Sequence, residues 1–223
     1  MSDTDSFIEE VTEEVRRDRL FIMFKRYGWI AALVIVVIVG GAAYNEYRKA
    51  QARAAAQQLG DDIITALGEN NAAERVAALG RVQAQSAGGA AVLGFLTAAT
   101  QADAGETEQA VAQLNAVAGS GDLPEIYRQI AAFKALTLQA ETLPANERRL
   151  QFEALAQPGA PLRLLAQEQL ALIDIGEGQT EAAIERLQTI LRDAEATPDL
   201  QQRVSQVIVA LGGNPDPAPL SQG

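Results

Sequence analysis

The sequence contains no cysteine and no histidine. Those absences exclude disulfide bonds, thiol nucleophiles, Ser-His-Asp triads and the commonest ligands of zinc and haem. Aromatic residues make up only 5% of the chain, whereas 48% of its residues are hydrophobic, so alanine and leucine must form most of the core. Such a composition indicates packed helices. The formal net charge of −11 argues against general nucleic-acid binding, because phosphate groups require a basic surface.

Catalytic motifs are also missing. The chain has neither a G-x-G-x-x-G fingerprint nor a phosphate-binding loop. Asp61 and Asp62 are adjacent carboxylates, but neighbours on a helix diverge by about 100° and do not face each other. The Gly88-Gly89 pair stands before an apolar segment and is interpreted as a turn. The sequence therefore predicts a protein that is not an enzyme and that needs no cofactor, metal ion or small-molecule substrate.

One long uncharged run dominates the N-terminal part of the chain. Nineteen residues between Arg26 and Glu46 carry no charge and read YGWIAALVIVVIVGGAAYN. As a helix this run is about 28 Å long, close to the thickness of a bilayer's hydrocarbon core, and aromatic residues stand at both ends. A cleaved signal peptide or a buried core helix are the alternatives. Because 26 residues precede the run, and because charges crowd both its ends, we predict a transmembrane helix over 27–45.

Basic residues near the predicted span indicate its orientation. Five precede it (Arg16, Arg17, Arg19, Lys25 and Arg26), and three follow it (Arg48, Lys49 and Arg53). This bias places the N-terminal arm, 1–26, in the cytoplasm and the remaining chain outside. The acidic arm is interpreted as a solvated segment or as a docking site for a basic cytoplasmic partner. Within the span, Gly28, Ala32 and Gly40 are candidates for contact with another membrane helix, although small residues are common in all such spans.

The rest of the chain reads as helices. No proline occurs between residues 1 and 123 and no glycine between 42 and 59, so the first helix is expected to continue beyond the span. Asn71 with Glu74 resembles a capping box. Four prolines stand where a first helical turn would begin: Pro124, Pro144, Pro161 and Pro198. No convincing alternating strand pattern is present.

An internal repeat indicates the arrangement of these helices. The segment from Gly105 to Leu114 matches the segment from Gly178 to Leu187 at five of ten positions, with an offset of 73 residues, or two units of about 36. Gly68 and Ala73 echo the same pattern at an offset of 37. This period is typical of helix-pair arrays such as tetratricopeptide repeats, in which a glycine permits the tight turn between helices.

We therefore predict an all-α fold, in which a single N-terminal transmembrane helix precedes a tetratricopeptide-like α-solenoid of about four helix pairs plus a capping helix. The pairs are expected near 45–84, 88–119, 123–157 and 160–195, with the cap near 197–211. Residues 46–211 would form the repeat domain, because neighbouring repeats must bury one another's apolar faces. The Pro- and Gly-rich tail, 212–223, is predicted to be disordered.

The acidic, basic-flanked start, the R-Y-G-W entry into the apolar run and the exit through Tyr44, Glu46 and Tyr47 resemble the YfgM-like family. Its members are ancillary subunits of the bacterial SecYEG translocon. The resemblance implies an inner-membrane anchor, a periplasmic repeat domain, and association with SecYEG and a PpiD-like periplasmic chaperone. This chain departs from the strong repeat pattern, because Leu, Ile and Ala replace most of the usual large aromatics.

The concave face of a solenoid of helix pairs is the expected working surface. Phe95, Tyr127, Arg128 and Arg163 are the candidate partner-binding residues, because aromatic and arginine side chains dominate interface energetics. The spacing of Phe95 and Phe133 also fits buried core positions. Two functions are consistent with this organisation: an accessory subunit of the translocon that links it to periplasmic chaperones, and a membrane-anchored scaffold or assembly subunit of another envelope complex, such as a respiratory one.

Overall fold

The prediction of an all-α fold is confirmed by a computed structural model. It describes the backbone of residues 3–216 and the side chains from residue 25 onward, except those of 27, 28 and 31. Within this range the chain forms nine helices and no strand: α1 (Asp3–Leu67), α2 (Ala72–Leu79), α3 (Ala87–Asp103), α4 (Thr107–Ala118), α5 (Glu125–Leu138), α6 (Ala145–Leu155), α7 (Arg163–Gly176), α8 (Thr180–Leu191) and α9 (Pro198–Ala210).

The chain divides into two units, Met1–Gln58 and Leu59–Gly223. The first unit is described from residue 3 and consists of the greater part of α1, which continues without a break through residues 45–59, as the lack of proline and glycine there predicts. Its apolar side chains are exposed, with Val36 67% and Trp29 66% accessible. When only the described residues are counted, no helix combines the length and the hydropathy needed to cross a bilayer.

The second unit is built from consecutive helix pairs. We call the end of α1 (59–67) together with α3, α5, α7 and α9 the first helices, and α2, α4, α6 and α8 the second helices. Each of four apolar clusters joins one pair to the first helix of the next pair. Alanine and leucine supply many of the buried residues, as the composition predicts. The shared clusters make the unit a continuous stack of tetratricopeptide-like repeats, because each pair buries the apolar face of its neighbour.

Polar and proline residues mark the starts of these helices. The Asn71 side chain accepts a hydrogen bond from the Glu74 backbone N–H at 2.9 Å and caps α2, as the sequence predicts. Pro198 is the first residue of α9. The interpretation of Gly88-Gly89 as a turn is wrong, since both residues lie in the first turn of α3. The helix begins before them because the Ser86 hydroxyl accepts a hydrogen bond from the Gly89 N–H at 3.1 Å.

The sequence repeat at an offset of 73 residues is also a repeat of geometry. Gly105 and Gly178 both adopt left-handed backbone angles, with φ of +80° and +77°. In both turns the N–H after the glycine donates to the carbonyl five residues earlier, from Glu106 to Gln101 and from Gln179 to Asp174, each at 2.8 Å. This hydrogen bond closes the end of the helix around a residue with positive φ, a conformation that glycine adopts without steric cost.

The predicted echo at Gly68 and Ala73 is wrong. Gly68 is not among the glycines with positive φ, and its N–H donates to the carbonyls of Ile64 and Thr65 as a continuation of α1. Ala73 is exposed. The connection instead reaches the cap residue Asn71 before α2 begins, so the first pair does not use the glycine turn of the later pairs.

The described part of the tail contacts the last repeat. Gly213 packs so closely on Ile208 that a Cβ at this position would lie 2.9 Å from its Cγ2. The Gln188 amide donates to the Asn214 carbonyl at 3.3 Å, and Arg192 forms an ion pair with Asp216 at 2.8 Å. The first residues of the tail are therefore ordered by contacts with α8 and α9. The other residues for which disorder is predicted, 217–223, lie outside the described part of the chain.

Candidate functional site

One position on the first helices is exposed in every repeat. The five residues that occupy it are separated by 35, 35, 38 and 37 positions along the chain: Ile64, Ala99, Lys134, Leu172 and Val209. Three are large apolar side chains that remain 70%, 43% and 59% accessible, in chain order. We call these five residues the exposed row. It runs from one first helix to the next, because each apolar cluster holds two successive first helices together.

Two further side chains widen the exposed row. Val92 and Tyr127 precede Ala99 and Lys134 by seven residues, and seven residues on a helix bring the chain back to nearly the same face. Both are exposed, at 47% and 42%. Among the large apolar residues of 59–216 that are exposed, only Leu150 on α6 lies outside this set. Exposure of apolar surface in the repeats is therefore concentrated on the first helices, the helices that line the concave face of a solenoid.

A small apolar groove lies beside the centre of the exposed row, between α3 and α5. Its volume is about 110 Å³, and its lining residues are Phe95, Ala98, Ala99, Ala102, Leu114, Lys134, Thr137 and Leu138. Ala98 and Leu114 are buried in the core below it. The short alanine side chains leave the space open, and Lys134 is the only charged residue that lines it.

Lys134 stands out chemically in the repeats. It is the only lysine in residues 59–216, and its side chain is exposed. Among the described residues, its ammonium group takes part in no ion pair. The backbone carbonyl of Lys134 accepts the Thr137 hydroxyl at 2.8 Å, which occupies the nearest hydroxyl donor within the helix itself. The groove thus combines apolar walls with one unpaired positive charge.

A larger cavity of about 350 Å³ lies between α7 and α8 and is more polar. Two arginines line it, and both are already engaged. Arg163 donates to Asp193 at 2.8 Å, while Arg186 donates to Gln167 at 2.9 Å and to Asp174 at 3.0 Å. The donors that could bind an anion are therefore occupied by protein groups.

The predicted partner-binding residues lie in different environments. Phe95 packs against the cluster of α3, α4 and α5 and also lines the groove, so it has both a core role and an accessible edge. Tyr127 is exposed beside the exposed row. Arg128 is half-buried, and its Nε has no hydrogen-bond partner. Arg163 is held by Asp193 and by Glu195, at 2.8 and 2.7 Å, so its guanidinium is not free to receive a partner. Phe133 packs edge-on against Phe152, with ring centroids 5.6 Å apart.

Sequence analysis missed a set of buried ion pairs in the last repeats. Asp174 is 1% exposed and accepts hydrogen bonds from Arg149 of α6 at 2.7 Å and from Arg186 of α8 at 3.0 Å. The hydrogen bond to Asp174 raises the pKa of Arg149. These pairs tie α7 to its neighbours on both sides. The available signal was Asp174 itself, an acid within the apolar segment LALIDIG of an otherwise amphipathic helix.

The membrane-contact candidates of α1 make no packing contact that carries an argument. Ala32 and Gly40 are exposed, and no atom lies within 4 Å of a Cβ added at Gly40. The side-chain surroundings of Gly28 fall outside the described part of the chain. Within that part, no three residues among His, Cys, Asp and Glu are grouped so that they could hold a metal ion.

Comparison with known proteins identifies one family. A family model described as a tetratricopeptide repeat-like domain matches residues 23–142, which is more than half of the chain. The match begins ahead of the uncharged run of α1 and ends in the loop after α5. No curated protein and no solved structure matches the sequence.

Proposed function

Because the chain belongs to the tetratricopeptide repeat-like domain family, we propose that it is a membrane-anchored protein-interaction subunit. The observation that carries this proposal is the exposed row, which leaves a large apolar side chain accessible on most of the first helices. Contiguous exposed apolar surface on an otherwise polar protein marks an interaction site. Binding of a protein partner, rather than chemistry on a substrate, is the activity that such a surface supports.

The anchor is proposed from the uncharged run in α1. Its apolar side chains are exposed, including Leu33, Val36 and Val39 at 54%, 67% and 60%. Exposure of so many contiguous apolar side chains to water is unfavourable by about 25 cal/mol per Å² of apolar area. Insertion of this segment in a bilayer removes that cost, and a helix satisfies its own backbone hydrogen bonds in lipid. The basic residues before the run place the N-terminus in the cytoplasm.

We further propose that the membrane is the bacterial inner membrane and that the repeats lie in the periplasm. The support is the resemblance of the R-Y-G-W entry and the Tyr44–Tyr47 exit to the YfgM-like family. The partners then proposed are the SecYEG translocon and a PpiD-like periplasmic chaperone. In this arrangement the anchor keeps the exposed row close to polypeptides that leave the translocon.

Site-specific photo-crosslinking in native membranes tests the proposal. A photoreactive phenylalanine analogue would be placed at Val36 in the anchor and at Tyr127 beside the exposed row. Glu153 on α6, which is exposed but lies away from the exposed row, serves as the matched control position. Adducts would be identified by mass spectrometry after purification in mild detergent.

We expect adducts with a translocon subunit from Val36 and adducts with a periplasmic chaperone or a translocating chain from Tyr127. The control position should give neither. Reproducible adducts with a different envelope complex, without any Sec component, would reject the translocon assignment and support the scaffold function instead. Equal labelling from Tyr127 and Glu153 would reject the exposed row as the binding surface.

A further inference from the structure

We infer that the exposed row binds an extended segment of a partner protein that carries an apolar residue at every third position and one acidic residue in the middle. This inference rests on the proposed function, because it names the class of partner for the same surface. Four of the five positions of the exposed row are apolar, and the central one is Lys134. A complementary ligand therefore presents two apolar residues, one carboxylate and two apolar residues in that order.

The spacing of the first helices determines the conformation of such a ligand. Helices in contact lie about 8–10 Å apart, so neighbouring positions of the exposed row are separated by about that distance. A polyproline II segment has three residues per turn and rises about 3.1 Å per residue, which places every third side chain on one face at about 9.3 Å. Polyproline II is also a major conformer of unfolded chains. An unfolded segment thus presents side chains at the same spacing as the exposed row.

An α-helical ligand fits this spacing less well. At 1.5 Å per residue, a helix would need about six residues between successive contacts, and six residues do not return to the same face of the helix. A five-contact site would require a helix of about 25 residues, whereas an extended segment of about 13 residues is sufficient. The short extended ligand is therefore the one that the exposed row accommodates.

Lys134 determines the sign and the number of charges in the ligand. Its ammonium group is unpaired among the described residues, and the adjoining groove has no other charged lining residue. A carboxylate placed there forms an ion pair at the edge of an apolar site. Residues 59–216 otherwise carry 21 acidic and 10 basic residues, so additional carboxylates in the ligand would be repelled. One central acidic residue is therefore favoured over an acidic stretch.

The groove beside Lys134 supplies the deepest contact. Its volume of about 110 Å³ is lined by Phe95 and by alanines 98, 99 and 102. Since the alanine at this position of the exposed row is shorter than the Ile, Leu and Val found in the other repeats, a large side chain of the ligand can enter here. A leucine that enters the groove contacts Phe95 directly. The accessible edge of Phe95 is thus a binding contact as well as a part of the core.

Binding of synthetic peptides to the full chain in nanodiscs tests the inference. The probe is a fluorescein-labelled peptide with leucine at every third position, serine and glutamine between, and aspartate at the central third position. Three controls have an identical length: one with asparagine in place of the aspartate, one with the same composition in scrambled order, and a helical peptide with leucine at every seventh position. Fluorescence anisotropy measures each Kd, and empty nanodiscs correct for binding to lipid.

We expect the aspartate peptide to bind about two- to fivefold more tightly than the asparagine peptide, the range of an exposed ion pair. Lys134→Gln should abolish this preference, and Lys134→Arg should retain it. Combined Ile64→Ser and Leu172→Ser substitutions should weaken binding about tenfold or more, because they remove two apolar contacts. Leu150→Ser is the matched control, since Leu150 is 69% exposed but lies outside the exposed row.

Tighter binding of the scrambled or the helical peptide would overturn the inferred ligand conformation. A preference for aspartate that survives Lys134→Gln would overturn the role of Lys134, and an equal effect of Leu150→Ser would overturn the exposed row as the site. These failures are distinct from failure of the proposed function. Photo-adducts from Val36 and Tyr127 would persist if only the peptide pattern is wrong, whereas both sets of adducts would disappear if the function is wrong.

Discussion

Arg203 of α9 holds the carboxylate of Glu168 in α7 through two hydrogen bonds, from Nε to Oε1 at 2.6 Å and from Nη2 to Oε2 at 2.8 Å. The Glu168 side chain is only 8% accessible. The hydrogen bond raises the pKa of Arg203, so the pair remains charged in the folded protein. The interaction joins two successive first helices and fixes the last repeat on the preceding pair.

Removal of the arginine should therefore destabilise the end of the stack. We expect Arg203→Met to lower the free energy of unfolding by about 1–3 kcal/mol, because Glu168 is left buried without a charged partner. The double variant Arg203→Met/Glu168→Met should recover most of that loss, since a buried ion pair can often be replaced by apolar residues. Denaturant titration followed by circular dichroism measures both. A double variant less stable than Arg203→Met would contradict this explanation.

The glycine turns provide a second prediction. Gly178→Ala should lower the free energy of unfolding by about 1–2 kcal/mol, because alanine is strained at a φ of +77°. Gly176→Ala, two residues earlier in α7, is the matched control, since its Cβ would meet no atom within 4 Å and its φ is not positive. We expect the control to be neutral or to stabilise by up to about 1 kcal/mol, as alanine is the better helix former. Thermal melts of the two variants should shift apart; equal shifts would show that backbone strain is not the cause.

Close packing of α3 on α4 depends on Gly94. A Cβ at this position would lie 2.7 Å from Val117 Cγ2, so Gly94→Ala should cost about 1–3 kcal/mol through overpacking. The same substitution at Gly88 in α3 should have no such cost, because nothing lies within 4 Å of its Cβ. Val117→Ala should relieve part of the penalty at Gly94. The three denaturation midpoints provide the test, and an unrelieved double variant would locate the clash elsewhere.

The pair between Arg163 and Asp193 predicts a pH dependence. The Arg163 hydrogen bond, and next the backbone N–H of Glu195, lower the pKa of Asp193 below its usual 3.8. A carboxyl group whose pKa is lower in the folded state stabilises the protein above the unfolded pKa, and this stabilisation is lost as the pH falls through the folded pKa. The stability difference between wild type and Arg163→Gln should thus be full at neutral pH and should shrink as the pH falls below about 4.

Denaturant titrations at pH 7 and pH 3 measure this difference. The control is a background with Asp193→Asn and Glu195→Gln, in which Arg163 has neither carboxylate partner. In that background the effect of Arg163→Gln should be the same at both pH values. A persistent pH dependence there would assign the effect to other acidic groups.

The proposed orientation predicts the accessibility of the chain ends. In this cysteine-free sequence, Ser221→Cys should react with a membrane-impermeant maleimide added to cells whose outer membrane alone is permeabilised. Ser6→Cys should react only after the inner membrane is opened. The opposite pattern would reverse the orientation, because the two positions lie on either side of the proposed span.

Much of the fold could be predicted from local patterns. The helices, the Asn71 cap, the prolines near helix starts and the glycine turns at 105 and 178 are consequences of backbone geometry over a few residues. Such features are determined by nearby residues and therefore show in the sequence. Gly68 shows where this reasoning fails, since a glycine in the right register does not need a positive φ when the connection has a different length.

The candidate site depended on both levels. Sequence analysis selected Phe95 and Tyr127 correctly as residues near an accessible surface, although it could not separate them from core residues of the same spacing. It offered Arg163 as a partner-binding residue without detecting that Asp193 and Glu195, about 30 residues later in the chain, occupy its guanidinium. Contacts between distant residues depend on helix packing, and a single sequence does not reveal them.

The sequence by itself determined that the protein is helical, repetitive, acidic and free of cysteine and histidine, because composition and short periodic patterns set local conformation and available chemistry. Tertiary structure alone decided which side chains are exposed in register. The stack of helix pairs brings Ile64, Lys134 and Val209, far apart in the chain, to equivalent positions on successive first helices. The same packing buries Asp174 and Glu168 with their arginines, since an ion pair within the repeats forms only where two helices meet.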